Sequence, residues 1–273
     1  PFCLELARRP QVAQSASAPK SSRMRALVAA ALAAAAARAS AGGGVRVNVF
    51  MESGCSSCQA FLGGPLKELL AAPGFAEILD LDISPFGNAY FVTDACGGTS
   101  ERSEPEVRKC WDKACGLGAA DRPHDCFKGE VVAQHGAAEA IGNRYLACAR
   151  RLTSYASAKY WPFVGCLEAG YDKDRTEEQP WVGLMGTCAA SAGIEAAALQ
   201  ACFGGPDGLD AVVSEAKATP EHEFVPWVVV NGRPMVTNKL PEFKEAICKA
   251  YVGPSPPPAC ECFRGNQTET IIL

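Results

Sequence analysis

In the stretch Val45-Arg46-Val47-Asn48-Val49-Phe50-Met51-Glu52-Ser53-Gly54-Cys55-Ser56-Ser57-Cys58, valines recur at every second position, the period of a half-buried strand. The chain then passes through Glu52-Ser53-Gly54 directly into a Cys-X-X-Cys. Beyond it, Phe61, Leu62, Leu66, Leu69 and Leu70 recur at helical spacing as far as Pro73-Gly74, which stops the helix. Gly63-Gly64-Pro65 predicts a kink on the way, because proline removes a helical donor. The apolar run from Ile78 to Ile83 reads as a second strand. Strand, helix and strand with a right-handed crossover make a βαβ unit.

A Cys-X-X-Cys serves zinc ribbons as well as redox centres, so its surroundings decide. Zinc wants a second pair. No other Cys-X-X-Cys follows, and His124, His135 and His222 lack the H-x₃₋₅-H spacing, so no metal site is expected. A cysteine at the first turn of a helix faces unpaired backbone N–H groups and the positive end of the helix dipole, and both favour a thiolate. Cys55 takes that place as attacking thiol. Cys58, one turn on and more deeply set, is the expected resolving thiol. The bland alternative is a permanent 55–58 disulfide, although so short a loop constrains the unfolded chain little.

Residues from about 93 to 126 are polar, rich in glycine and carry Cys96, Cys110, Cys115 and Cys126, which reads as an inserted loop with three pairings open. From about 137 to 217 the chain is rich in Ala and Leu at helical spacing, with breaks at 170–180 and at Gly204-Gly205-Pro206-Asp207: a helical insertion. The sheet resumes at Phe224-Val225-Pro226-Trp227-Val228-Val229-Val230, and Asn231-Gly232 predicts a hairpin turn into Arg233 to Val236. A last helix is expected over 241–251. A proline leading a buried strand fits a cis Val225–Pro226 bond; in thioredoxin-like folds such a proline faces the dithiol, which would leave Val225 and Pro226 to hold an extended substrate segment as an added strand. The expected architecture is α/β: a thioredoxin-like sheet over 45–252 with a helical insertion, in a DsbA-like arrangement, and a cysteine-containing inserted loop.

The chain has 273 residues, enough for a proper core, so its 14 cysteines are not forced by small size and point instead to an oxidising compartment. A net charge of -4 and a pI near 5.5, with no long basic run, exclude a nucleic-acid partner. Met24-Arg25 opens a run of Ala, Leu and Val to Ala37, followed by Ala39-Ser40-Ala41. That run is about half of the ~20 residues of a spanning helix and reads as a signal peptide over 24–41, leaving no stable membrane span once cleaved. Residues 1–23 read as a non-native leader, and 253–273 as a flexible tail of prolines and cysteines carrying a glycosylation sequon at Asn266. Cys188 and Cys202 are the expected local staple, and Cys248, Cys260 and Cys262 are placed to tie the tail down. Eleven cysteines remain after Met24 once Cys55 and Cys58 are set aside, an odd number, so at least one stays free or pairs between chains.

Four collinear motifs carry a resemblance: Cys55-Ser56-Ser57-Cys58-Gln59-Ala60-Phe61-Leu62, Pro85-Phe86-Gly87-Asn88-Ala89, Gln134-His135-Gly136, and His222-Glu223-Phe224-Val225-Pro226-Trp227. Over about 45–252 the chain resembles the gamma-interferon-inducible lysosomal thiol reductases (GILT). The resemblance implies a soluble glycoprotein of endosomes and lysosomes, or a secreted one, that reduces disulfides of protein substrates at acidic pH. It implies Cys55 and Cys58 as the dithiol, no cofactor, and an external thiol as reductant. The family signature C-Q-H-G-x-x-E-C-x-x-N-x-x-x-x-C is met here by Ala133-Gln134-His135-Gly136 through Glu139-Ala140 and Asn143 to Cys148. Two signature cysteines are alanine, which suggests that the two pair with each other in relatives. His135 reads as a structural hydrogen-bonding residue, outside the catalytic pair. No cation stands beside the dithiol in sequence: Lys67 is too far along the helix, and Glu52 opposes thiolate formation. An oxidase or isomerase of the DsbA type, and a secreted cysteine-rich binding protein with a static 55–58 staple, remain open alternatives.

Overall fold

The computed structural model describes residues 44–99, 102–171, 181–235 and 240–264. The leader, the signal peptide and the sequon at Asn266 therefore lie outside the described residues. Strand β1 (Val45–Met51) buries Val45, Val47, Val49 and Met51, as the alternation predicts. The dithiol helix follows as α1 (Ser56–Phe61), a π-turn at Leu62–Leu66 with Pro65 inside it, and α2 (Lys67–Ala71). The expected kink is thus a local widening of the helix, which lets the proline sit where a regular turn would need its N–H. After α3 (Phe75–Ile78), strand β2 (Leu79–Pro85) pairs parallel with β1, from Val45–Leu79 to Met51–Pro85.

The sheet is completed late in the chain. Strand β5 (Trp227–Val230) pairs antiparallel with β1, and β6 (Arg233–Pro234) antiparallel with β5, giving the order β2-β1-β5-β6. Asn231 and Gly232 take φ of 46° and 78°, the double positive φ of the predicted hairpin turn. A parallel pair extended by an antiparallel hairpin is the thioredoxin-like sheet, and α10 (Leu240–Ala250) packs Phe243 against Phe61 of the dithiol helix. Between the halves of the sheet lies the helical insertion: α5 (Ala137–Leu152), α6 (Ser157–Gly170), α7 (Val182–Ser191), α8 (Ala196–Gly204) and α9 (Pro206–Ala218). Buried Arg150 of α5 pairs with Glu215 of α9 and with Asp82 of β2, and Ser84 Oγ donates to Glu215 at 2.6 Å, so one charged network fastens the insertion to the sheet.

Three expectations are corrected. The segment over about 93–126, read as a loop rather than core, contains α4 (Pro105–Cys115) and a core of its own. Arg108, Trp111 and Cys115 recur at helical spacing and are buried, and Trp111 packs with Phe86, Phe91 and Phe127 beside the short strands β3 (Tyr90–Phe91) and β4 (Val131–Val132). Two disulfides, Cys96–Cys110 and Cys115–Cys126, close it. Charged residues on the outer helix face masked this pattern in the sequence.

Cys188 and Cys202 do not pair with each other. Cys148 bonds to Cys202 and Cys166 to Cys188, with Cα separations of 5.9 and 5.4 Å. Each bridge joins two helices that pack side by side, α5 to α8 and α6 to α7; geometry between helix faces, not nearness in sequence, sets the partners. The tail is no free coil over 253–264: Cys260, fully buried, bonds to Cys248, and a 3₁₀ turn (Pro258–Cys260) leads into α11 (Glu261–Arg264).

Candidate active site

Strand β1 delivers its C-terminal end, Glu52-Ser53-Gly54, to the start of α1. Gly54 has φ +74°, and a Cβ there would strike the ring of Tyr171, so only glycine makes this turn. The turn sets Cys55 at the N-cap of α1, with Cys58 one turn inside. Cys55 keeps 7 % of its surface and Cys58 none, so Cys55 is the more accessible of the two sulfurs. The backbone N–H of Glu52 donates to Cys58 Sγ at 3.5 Å.

The two sulfurs are held in opposite states. Interaction with the Cys58 thiol, the N–H groups of Cys58 and Ser57, and the charge of His135 together outweigh burial and bring Cys55 down to about 6. Burial, followed by the thiol of Cys55, pushes Cys58 well above the ordinary thiol range. One thiolate and one thiol therefore share the site at neutral pH.

Three carboxyl groups stand around them. Glu52 is fully buried; its Oε1 accepts the N–H of Asn88 at 2.6 Å, and a Cβ on Gly87 would overlap its side chain. Burial, then the charge of Glu139, pushes Glu52 up to about 8. Glu168 accepts the N–H of Gly54 at 2.9 Å and is likewise raised to about 8 by burial. Glu139 Oε2 accepts the N–H of His135 at 2.8 Å and lies 2.7 Å from its Nδ1. That bond, assisted by the charges of Glu139, Glu52 and Cys55 against a cost of burial, raises His135 to about 8. The cation missing from the sequence around the dithiol is therefore His135, brought in from eighty residues downstream.

The remaining motifs converge on the same place. The amide of Gln134 lies between Asn88 and the Glu52 carboxyl, with Asn88 Nδ2 at 2.5 Å. Asn143, one turn after Glu139 on α5, accepts the N–H of Ser53 at 2.8 Å. His222 joins Asn88 Oδ1 through Nε2 at 3.0 Å, and burial lowers its pKa. The Val225–Pro226 bond is cis, Pro226 is buried, and pairing of Trp227 with Phe50 brings this turn to the end of β1 that carries the dithiol. Val225 packs against the core cluster that contains both Cys55 and Cys58.

No family model matches the chain. The gamma-interferon-responsive lysosomal thiol protein of Arabidopsis thaliana is 26 % identical over 217 residues, 77 % of this chain and 72 % of that protein. The gamma-interferon-inducible lysosomal thiol reductase of Mus musculus is 25 % identical over 223 residues, 79 % of this chain and 71 % of the mouse protein. The chain is a distant homologue of the GILT proteins. Among solved structures, the oxidised BdbD of Bacillus subtilis resembles it with a TM-score of 0.49 at 16 % identity, over 78 % of this chain and 90 % of that one.

The GILT signature has a physical reading here. Gln134, His135, Glu139 and Asn143 are one polar patch that grips Glu52 and Ser53 and faces Cys55, while Cys148 at its end is a disulfide partner of Cys202. His135, set outside the site by sequence reasoning, does make a structural hydrogen bond, yet it also acts on the thiolate. Ala133 is buried and Ala140 partly so, both packed in the smaller core rather than at the dithiol. The i, i+4 spacing of Glu139 and Asn143 was a signal that both share a helix face. Glu168 carried no such signal.

Proposed function

We propose that this chain is a thiol–disulfide oxidoreductase that reduces protein disulfides with Cys55 as nucleophile and Cys58 as resolving thiol. The observation that carries this reading is the placement of the two sulfurs: Cys55 caps a helix and keeps some surface, and Cys58 is fully buried one turn behind it, an arrangement that brings Cys55 down to about 6 and pushes Cys58 up. The Cys55 thiolate attacks one sulfur of a substrate disulfide, and the other sulfur leaves as a thiolate and takes up a proton. Cys58 then loses its proton and attacks Cys55 Sγ, freeing the second substrate thiol and leaving a 55–58 disulfide. The proton that Cys58 gives up goes to the second substrate sulfur as it leaves, while Glu52, raised to about 8, keeps its own proton in acid. Two electrons pass from the dithiol to the substrate, and an external thiol returns them.

The cis turn at Val225–Pro226 holds the substrate segment in extended form next to the dithiol. Homology to lysosomal thiol reductases and five disulfides among the described residues, outside the dithiol, support work in the secretory pathway, in an acidic endosomal or lysosomal setting or outside the cell. No helix among the described residues is long and apolar enough to cross a membrane. A thiolate near 6 retains a reactive fraction in acid, where an ordinary thiol of pKa ~8.5 is almost wholly protonated.

Insulin reduction at acidic and neutral pH tests the reading. The reduced wild type is expected to cleave insulin at both, Cys55→Ser at neither, and Cys58→Ser to accumulate a mixed disulfide through Cys55. A Cys58→Ser protein that traps nothing, or a 55–58 bond that resists mild reduction as firmly as the other five, overturns it.

A further inference from the structure

We propose that the reduced chain binds one zinc-class divalent cation through Cys55 Sγ, Nδ1 of His135 and the carboxylate of Glu52. These three donor atoms lie within 4.8 Å of one another, and Nδ1 stands 3.5 Å from Glu52 Oε2. Tetrahedral zinc, with bonds of ~2.0–2.3 Å, holds its donors roughly 3.4–3.6 Å apart, so a small inward shift closes the site. Thiolate, imidazole and carboxylate are the donor types that zinc takes, and three protein donors leave a fourth position open.

Charge favours the same occupant. Among the described residues, Glu52 and Glu139, both buried, and the Cys55 thiolate share the partly exposed cation His135. A dication in their midst compensates the crowding that protons otherwise relieve. Entry is open on the histidine side, where the side chain of His135 keeps 46 % of its surface. Two donors are also held beforehand, Glu52 by the Asn88 N–H and His135 by Glu139, and the Ser53–Asn143 bond fixes the loop that leads to Cys55.

On binding, the cation takes the place of the proton on Nδ1. That proton, with those still carried by Glu52 and Cys55, leaves to solvent, and no electron moves. Glu139 Oε2, 2.7 Å from Nδ1, is then a further oxygen within reach of the fourth position. A 55–58 disulfide removes the sulfur donor, so oxidation and metal binding exclude each other, and the bound form is closed to disulfide exchange.

Titrating the reduced full chain with Co²⁺ and with Zn²⁺ in competition with a chromogenic chelator tests it. One Co²⁺ per chain with a thiolate-to-cobalt charge-transfer band is expected, and both the band and the affinity should vanish on oxidation of the dithiol. Affinity should fall about tenfold or more in His135→Ala and in Glu52→Gln, and persist in Cys58→Ser. If His135→Ala does not fold, His135→Gln carries the same comparison. Undiminished affinity in the His135 and Glu52 variants, or its loss in Cys58→Ser, would make the site a plain two-thiol chelate and overturn the proposal. The absence of a one-to-one band in the reduced wild type would do the same.

Discussion

The backbone N–H of Ser53 donates to Oδ1 of Asn143 at 2.8 Å, a buried bond between the residue two before Cys55 and a helix ninety positions away in sequence. It ties the loop that presents the dithiol to the helical insertion. Asn143→Ala leaves that N–H unsatisfied and is expected to cost about 1–3 kcal/mol. Urea unfolding of the oxidised protein reads this. A variant as stable as the wild type would mean that the loop is held by other contacts.

The causes of the Cys55 shift can be ranked by alkylation. Iodoacetamide reactivity against pH should show a wild-type midpoint near 6. Because the Cys58 thiol is the largest contribution and His135 a smaller one, Cys58→Ala should raise the midpoint more than His135→Ala. A wild-type midpoint near the free-thiol value of ~8.5 would remove the basis for activity in acid.

Stability should fall as pH rises from acid to mildly basic. Glu52 and Glu168 are raised to about 8 from the ordinary carboxyl value of 4.5, and His135 to about 8 from 6.5. Between those limits the folded chain keeps protons that the unfolded chain has released. Their contribution is complete below the unfolded values and is lost as pH climbs through about 8, at no more than about 1.4 kcal/mol per pH unit for each carboxyl. Urea midpoints of the oxidised protein should therefore drop from pH 5 to pH 8, and Glu52→Gln should flatten the slope. A midpoint that rises over this range would contradict the buried, protonated state of these acids.

Gly87→Ala should disturb the site from a distance along the chain. Gly87 has φ +52° and an added Cβ meets the Glu52 side chain, so the substitution strains the turn and displaces the carboxyl. A loss of stability of about 1–3 kcal/mol is expected, with a changed pH profile for insulin reduction. A variant with the wild-type profile would separate Glu52 from the chemistry.

The disulfides should differ in weight. Cys148–Cys202 spans 54 positions and Cys248–Cys260 spans 12. Loop-closure entropy gives about 4 kcal/mol for the first and about 3 kcal/mol for the second. Double serine variants compared by guanidinium unfolding should keep that order.

Much of the dithiol strand and its helix was legible because the signals are local. The valine alternation of β1, the Cys-X-X-Cys at a helix start, the proline leading β5 and the Asn-Gly turn each act through neighbours in sequence, and the structure carries all of them. The segment over 93–126 hides its helix because the three buried residues of α4 are interleaved with charged ones, and its aromatic partners, Phe86 and Phe127, lie outside it.

Sequence alone determined where the Cys-X-X-Cys lies and the strand and helix that carry it, since a sulfur at a helix terminus depends on a few adjoining backbone groups. Tertiary structure decided what surrounds that thiolate. His135, Glu139, Asn143 and Glu168 reach it only because the insertion folds back over the end of β1, and Cys148 meets Cys202 only because α5 lies against α8. Burial and charge at a point in space sum over groups far apart along the chain, and no local pattern records that sum.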